Sequence, residues 1–248
     1  MAQQRARNIA AIVTGHSRGL GAGIAAALLQ RGVRVLGLAR KPNVKLARDF
    51  ADRLTEVRID LADFHALTAW LDEATLAPYV RGADIALLVN NAGVLQPLGP
   101  LSLQRADTVF SAVAVNVGAA LALSAAFAAA SEDVPDRRIM HISSGAGRRP
   151  YGGWSVYCAS KAALDHHART VALDQTPGLR ISSLAPGVID TDMQAEIRAT
   201  SDGIMPERQR FVELKREGRL TSSVTAGRGA VDFLLSDSFG SEPVADLR

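Results

Sequence analysis

Cysteine is nearly missing from this chain: among 248 residues there is one, Cys158. A single thiol forms no intrachain disulfide, which suits a reducing cytoplasmic setting. Its place beside Tyr157 invites a nucleophile, but no sequence signature supports that role and a small buried apolar residue fits better. Aromatics are sparse at 5 %. There is no long basic run, so the pairs Arg137-Arg138 and Arg148-Arg149 read as solvated loop charges rather than nucleic-acid contacts. Charge of one sign is lacking too: 28 basic against 25 acidic residues give a net +3 and a nearly balanced surface. No His/Cys cluster has metal-ligand spacing, so no metal is expected. The absence of a G-x-S-x-G elbow excludes a hydrolase of that type. The opening MAQQRARN carries charge but no apolar segment, which argues against a secretory signal. The most membrane-like run, Ala112 to Ala130, is mostly alanine, is interrupted by Asn116, Gly118 and Ser124, and lacks the leucine density of a spanning helix. It reads as a helix packed inside a soluble protein or at a subunit contact, with no membrane partner.

What is present is a repeating alternation. Hydrophobic residues make up 48 % of a chain long enough for one large α/β domain. Apolar β-rich runs fall at Ile9–Val13, Val33–Leu38, Val57–Ile59, Ile85–Val89, Ile139–Ile142 and Ile181–Leu184, with a short tail strand near Pro243–Leu247. Helical stretches separate them: to about Arg31, Val44–Leu54, Asp63–Leu76, a long helix containing Asn116, a Tyr157 helix to about Gln175, and Val224–Leu235. No composition break or repeat divides the chain. The expected fold is a single-domain, Rossmann-type doubly wound parallel sheet of about seven strands over residues 1–248, with helices on both faces. Its cofactor-binding part covers about 1–150. Residues 192–217 depart from the repeat and would cover the site beyond the Pro186 strand end, either as a mobile lid or as an ordinary helical pair.

Three features carry chemistry. The first is the turn Thr14-Gly15-His16-Ser17-Arg18-Gly19-Leu20-Gly21 between a strand and a helix. Glycines let a backbone approach a pyrophosphate, and the helix N-terminus stabilises its charge. The second is Ala39-Arg40-Lys41 at the end of the second strand, where an NAD enzyme needs a carboxylate for the ribose 2′-hydroxyl. Two cations stand there instead, and a 2′-phosphate would suit Arg40, with Arg18 as a second donor. That points to NADP(H) rather than NAD. The third is Tyr157 and Lys161, four apart and so on one helix face. An ammonium beside a phenol favours the phenolate and is expected to draw the tyrosine pKa towards neutrality, where it can exchange a proton with an alcohol oxygen. The hydroxyl of Ser144 lies shortly upstream. The glycine loop, Asn90, Ser144 and Pro186 all sit at C-terminal strand ends, where ligands of such sheets bind.

In this order and spacing, TGHSRGLG at 14–21, NNAG at 90–93, Asn116, Ser144, YCASK at 157–161 and PGVIDT at 186–191 resemble the short-chain dehydrogenase/reductase family along nearly the whole chain. The resemblance implies an NADP-dependent oxidoreductase acting on CH–OH groups, with pro-S hydride transfer. Tyr157 would be the general acid/base, Ser144 would bond the substrate carbonyl oxygen, and Lys161 would hold the nicotinamide ribose and depress the tyrosine pKa. Asn116 would hold a water in a proton relay behind Lys161. It further implies cofactor contacts from Gly15, Ser17, Arg18, Gly19, Leu20, Gly21, Ala39, Arg40, Lys41, Asp60, Leu61, Asn90, Ala92, Gly93, Pro186, Gly187, Ile189 and Thr191. Asn90 and Gly93 would line the adenosine side, Asp60 would meet the adenine, and Ile189 and Thr191 would contact the carboxamide. Trp154 and Met193 are candidates for the substrate wall. The segments ISSGAGRRPYGGWSVYCASKAALD, PGVIDTDMQAEIR and the tail VADLR, which lacks a glycine pair, are similar to the sepiapterin reductase-like branch that includes benzil reductases. That branch implies reduction of a 1,2-dicarbonyl, with a pterin not distinguished from a diketone. A homodimer or homotetramer is implied by the same family, through the Asn116 and Tyr157 helices. Rival classes on this scaffold are a non-catalytic nucleotide sensor, which usually loses one of these four side chains, and a sugar-nucleotide epimerase, which has a different glycine spacing and a longer C-terminal domain.

Overall fold

A computed structural model describes residues 7–247; the first residues of the opening stretch discussed above lie outside them. The strands are β1 (Ile9–Thr14), β2 (Arg34–Ala39), β3 (Leu54–Arg58), β4 (Ile85–Asn90), β5 (Asp136–Ile142), β6 (Leu179–Ala185), β7 (Ile189–Asp190), β8 (Thr221–Ser222) and β9 (Val244–Asp246). Interleaved are α1 (Gly19–Gln30), α2 (Val44–Asp49), α3 (Phe64–Asp72), α4 (Leu76–Val80), α5 (Ala106–Val113), α6 (Ala119–Ala130), α7 (Ser155–Leu173), α8 (Asp192–Ala199), α9 (Arg208–Arg216) and α10 (Ser223–Leu235). Seven strands form one parallel sheet in the order β3-β2-β1-β4-β5-β6-β9, while β7 and β8 pair separately. The expected single α/β domain with helices on both faces is what the chain adopts.

Alternation along the strands sorts side chains between two apolar layers. Ala11, Val13, Val35, Leu87 and Val89 face α1 and α10. Ile12, Leu36, Leu38, Leu88 and Ile139 face the other layer, with Leu123 and Phe127 of α6 and Ala168 of α7. Because the order reverses on either side of β1, the crevice between the ends of β1 and β4 opens at the C-terminal rim. Thr14 closes that crevice from below. Its Oγ1 accepts from the backbone N–H of both Asn91 and Ala92 at 2.9 Å, tying the NNAG turn to the root of the glycine loop.

Several boundaries differ from the sequence expectation. The helix expected over Val44–Leu54 stops at Asp49, and β3 begins at Leu54, because β2 offers a full parallel partner from Val35 to Ala39. The helix expected over Asp63–Leu76 is broken into α3 and α4 at Ala74, which has φ 54°. The long Asn116 helix is continuous from Ala106 to Ala130, but residues 114–118 form one π turn. By length and hydropathy this helix would suffice to cross a membrane. Here Ala119, Ala120, Leu123 and Phe127 are buried against the sheet layer, while Phe110 and Val113 remain exposed.

Close approaches of backbone to backbone set the spacing of these layers. A Cβ at Gly227 of α10 would stand 2.3 Å from the carbonyl carbon of Gly23 in α1, and one at Gly23 would stand 2.0 Å from Ser223 O. Gly227→Ala therefore forces the two helices apart, at a cost of about 1–3 kcal/mol for overpacking. The melting midpoint should fall by roughly 3–10 °C for a chain of this size. Gly203→Ala, which meets nothing within 4 Å, should leave it within about 1–2 °C.

Candidate active site

The C-terminal rim carries a cavity of about 900 Å³. Its walls bring together nearly every residue singled out from the sequence: Gly15, Ser17, Arg18, Gly19, Leu20 and Gly21; Ala39, Arg40 and Lys41; Asp60 and Leu61; Ala92 and Gly93; Ser144, Trp154, Tyr157 and Lys161; Pro186, Gly187, Ile189, Thr191 and Met193. Two of the candidates are not in the wall. Asn90 is sealed behind it, where its Nδ2 donates to Ala120 O (3.2 Å) and Ser124 Oγ (3.1 Å) and lies 3.2 Å from His141 Nδ1. A lining role for Asn90 is thereby corrected, because at the last position of a strand alternation turns it into the α6 layer. Its neighbour Asn91 faces the cavity instead, with Nδ2 donating to Thr14 O at 2.9 Å.

Asn116 also lies behind the wall, in the π turn. Its Oδ1 accepts from Val94 N at 2.8 Å and its Nδ2 donates to Val94 O at 2.9 Å, so both ends of the amide are occupied by the backbone of one residue. A π turn inserts a residue and re-aims a side chain, and such turns recur at functional sites. A Cβ on Gly93 would lie 3.3 Å from Asn116 Oδ1 and 3.7 Å from Lys161 Nζ. The amide, the ammonium and the NNAG turn thus meet in a tight space.

Tyr157 and Lys161 stand on one face of α7, as their spacing requires, with the lysine Nζ 5.6 Å from the phenol ring centroid. Lys161 is 4 % exposed, and its Nζ donates to Ile142 O at 2.7 Å. Burial pushes its pKa down to about 8, opposed by the charge of Asp165 one turn further along α7. For Tyr157 the protein alone does the reverse of what the sequence suggested. Burial pushes the phenol up to about 12, with the Ser144 hydroxyl pulling it down and Cys158 adding slightly to the rise. Desolvation of a phenolate outweighs a neighbouring cation that is itself desolvated. Ser144 is set by its turn: residues 145–147 form a 3₁₀ turn, and the Ala146 N–H donates to Ser144 Oγ at 3.2 Å.

The glycine loop is built to receive an anion. α1 begins at Gly19 with no side-chain cap and no acid in its first turn, leaving its N–H groups free for a ligand. A Cβ on Gly21 would stand 2.2 Å from Gly15 O, so the loop curls tighter than any other residue allows. His16 is buried beneath it, with Nε2 2.6 Å from Glu56 Oε1, and that same oxygen accepts from Asn43 N at 2.7 Å. Asn43 Nδ2 donates back to Ser17 O at 3.2 Å. The loop and the turn carrying Arg40 and Lys41 are stitched together in this way. Gly37 makes room for it, since a Cβ there would lie 2.5 Å from the His16 ring. Nothing in the sequence pattern marked Glu56, an acid in an ordinary strand. Arg18 reaches across the mouth to Asp192 at 2.8 Å, both well exposed.

The far end of the cavity is aromatic. Trp154 stacks on Phe211 (5.5 Å, 29°), meets Tyr157 edge-on (5.5 Å, 80°) and packs near Tyr151 (5.1 Å). Met193, Leu95 and Leu98 complete this cluster with Ile197 and Met205. The 192–217 segment is a helical pair, α8 and α9, laid over that end. Tyr151 and Arg210, whose Nη1 donates to the Tyr151 hydroxyl at 3.3 Å, were not evident in the sequence; the glycine pair 152–153 that turns Tyr151 inward is the one local signal for it.

A sheet crevice with a glycine anion loop on one side and a buried Tyr–Lys–Ser group on the other defines a nucleotide-dependent oxidoreductase. The sequence model of the short chain dehydrogenase family matches residues 9–202, and the chain belongs to that family. It is 32 % identical over 235 residues to benzil reductase ((S)-benzoin forming) of Bacillus cereus, covering 92 % of this chain and 94 % of that protein. To the sepiapterin reductase of Meriones unguiculatus it is 33 % identical over 251 residues, covering 95 % of each. Among solved structures, a short-chain dehydrogenase/reductase from Burkholderia vietnamiensis superposes with TM-score 0.72 at 46 % identity, covering 97 % of both chains. A short chain dehydrogenase from Burkholderia cenocepacia in complex with NADP does so with TM-score 0.77 at 26 % identity over 95 % of this chain and 94 % of that one. A nicotinamide cofactor goes with the family, and the glycine cradle fits one.

Because both Asn116 bonds end on Val94, Asn116→Ala leaves a part-buried N–H and a part-buried carbonyl without their partners. The expected loss is about 1–3 kcal/mol, read as a lower urea midpoint at unchanged slope.

Proposed function

We propose that the protein is an NADPH-dependent carbonyl reductase that converts a ketone to an alcohol, with a 1,2-dicarbonyl such as benzil or a pterin side-chain diketone as its substrate class. The observation that carries the reading is the convergence of Ser144, Tyr157 and Lys161 on one cavity whose other end offers Arg40 and Lys41 at the end of β2, with no acid among residues 39–41. Among the described residues neither of those two cations has an ion-pair partner, which suits a 2′-phosphate. Arg18 can join them, since its exposed pair with Asp192 is worth at most about 1 kcal/mol. The reduced nicotinamide, when bound, supplies the hydride.

The chain's own residues do the rest. Ser144 and Tyr157 hold the substrate carbonyl oxygen, and Tyr157 delivers its proton to that oxygen. A phenol held near 12 remains protonated at neutral pH, which is the form a reduction needs. Lys161 stabilises the phenolate left behind and holds ribose hydroxyls of the nucleotide. Asn116 fixes the NNAG turn against Lys161 and belongs to the proton route behind it. Asp60 and Leu61 bound the adenine side, and Ile189 and Thr191 the carboxamide side. Trp154, Phe211 and Met193 offer an apolar, largely aromatic wall suited to an aryl ketone. The similarity to benzil and sepiapterin reductases supports the same substrate class. The protein is further proposed to act in the cytoplasm as a homodimer or homotetramer, an assembly that would cover Phe110 and Val113 of α5, which are 75 % and 44 % exposed.

The decisive test is oxidation of NADPH, followed by its absorbance, with benzil and with sepiapterin, each repeated with NADH. Turnover of benzil with NADPH and little with NADH is expected; absence of turnover with both substrates would overturn the substrate class. Tyr157→Phe should lower kcat by about 10²–10⁴-fold while leaving NADPH binding nearly intact, and full activity would refute the acid/base role. Arg40→Ala should raise the KM for NADPH by about tenfold or more, the loss of one charge-assisted phosphate contact, with little change for NADH. The kcat/KM profile reports the free enzyme. Since the ammonium of Lys161 is lost as pH rises through about 8, reduction should be level below that pH and decline above it.

A further inference from the structure

The loop carrying Ser144 continues to Arg148, a residue the mechanism above does not use. Its guanidinium makes three attachments. Nε donates to Asp165 Oδ2 at 3.2 Å, Nη2 to Ala245 O at 2.9 Å, and Nη1 to Asp246 Oδ2 at 3.4 Å. Asp165 is 1 % exposed, and its other oxygen accepts from Ser183 Oγ of β6 at 2.7 Å. One buried carboxylate therefore joins the Ser144 loop, α7 and the sheet, while the same arginine clamps the C-terminal strand β9. The loop lies close on the helix at this point. A Cβ on Gly147 would stand 2.9 Å from the carbonyl carbon of Lys161 and 3.0 Å from Asp165 Oδ2.

We infer that Arg148 and Asp165 are positioning residues: their ion pair, anchored on β9 and Ser183, fixes the Ser144 turn on the Lys161 turn of α7 and keeps the charge of Lys161 in place. The inference rests on the proposed roles of Ser144, Tyr157 and Lys161. Asp165 follows Lys161 by four residues, so it stands on the same helix face one turn away. A buried carboxylate there favours the ammonium, and it opposes the burial that pushes Lys161 down. The other titratable groups about Lys161 supply no such charge. Tyr157 on the same helix is protonated at neutral pH, and His141 on β5 is neutral because burial holds its pKa near 3. Arg148 is engaged with Asp165, and Asn116 across the gap carries no charge. A pair held mainly for stability would contribute to folding without touching the pH profile. A clip placed here governs the reacting groups as well, because the two elements it joins carry Ser144 and Lys161.

The test compares Asp165→Asn, Arg148→Ala and Arg148→Lys with the parent and with Tyr157→Phe, using NADPH and benzil. Melting midpoints and NADPH fluorescence titrations are recorded on each protein. Asp165→Asn should move the alkaline limb of kcat/KM to lower pH by about 1 unit, since the ammonium then loses its proton earlier. Arg148→Ala should lower kcat about tenfold, or up to about a hundredfold for a shift of about 1 Å, with NADPH affinity within about twofold of the parent. Arg148→Lys, which keeps a cation beside Asp165, should recover most of that rate. Unchanged kcat and an unmoved alkaline limb in both Asp165→Asn and Arg148→Ala would overturn the inference. So would a rate loss that follows the fall in melting midpoint with the limb unmoved and no recovery by lysine. Full activity of Tyr157→Phe is a separate outcome that removes the acid/base reading on which the inference stands.

Discussion

Taking the ammonium of Lys161 out of water costs several kcal/mol unless hydrogen bonds and opposite charge offset it, and the rim of this sheet is arranged around that requirement. The carbonyl of Ile142 at the end of β5 accepts one proton. The carboxylate of Asp165 lies one turn along α7, and the phenol face of Tyr157 stands 5.6 Å away. Asn116 binds the backbone N–H and carbonyl of Val94 nearby. These partners are drawn from separate elements of the chain. β5, the π turn and α7 must therefore keep one relative placement, and the Ser144 turn is bound into it through Arg148.

The same logic of close fit governs the opposite end of the cleft, where the ligand for which the loop is shaped would be an anion. Backbone there comes nearer to backbone than side chains permit. Gly21 curls over Gly15, and Gly23 meets Gly227 so that α10 braces the helix whose N-terminus faces the cleft. His16 fills the space left by Gly37 and binds Glu56, and Glu56 holds Asn43. Glu56 is thus already taken by two partners. Arg40 and Lys41 are left free of it, and both line the cavity.

Much of this was legible in the chain because its signals are local. A strand, a glycine turn and a helix in succession, or Tyr157 and Lys161 four apart, specify a geometry within a few residues. Gathering at the rim followed from one topological rule, and so did the placement of Ser144 and Pro186. What escaped depends on partners far away in sequence. Asn90 looked like a lining residue because it ends a strand, but its facing is decided by α6 and His141. The π turn at Asn116 has no composition signature and exists because its amide finds Val94. Glu56, Asp165 and Arg148 are common residues in common positions, given meaning only by what the fold brings opposite them. For Tyr157 a spacing argument counts the neighbouring charge, whereas in the protein alone burial of the phenol pushes the other way.

The division between what is shared and what is particular falls along the same line. In the proposed reaction the nucleotide and proton groups sit on β1, β4, β5 and α7; the strands pack into the two central layers, while Tyr157 of α7 belongs to the outer aromatic cluster. The wall that a substrate would touch is made by Trp154, Tyr151, Phe211 and Met193, in a separate apolar cluster closed by α8 and α9. That pair is joined to the rest largely through this cluster, the short β7–β8 pairing and exposed ion pairs such as Asp190 with Lys215. No hydrogen bond of the Lys161 arrangement passes through α8 or α9, but Trp154 of that wall meets Tyr157 edge-on, so a change there reaches the phenol beside Lys161. In the proposed reaction, substrate choice would therefore be set by aromatic contacts that also bear on Tyr157.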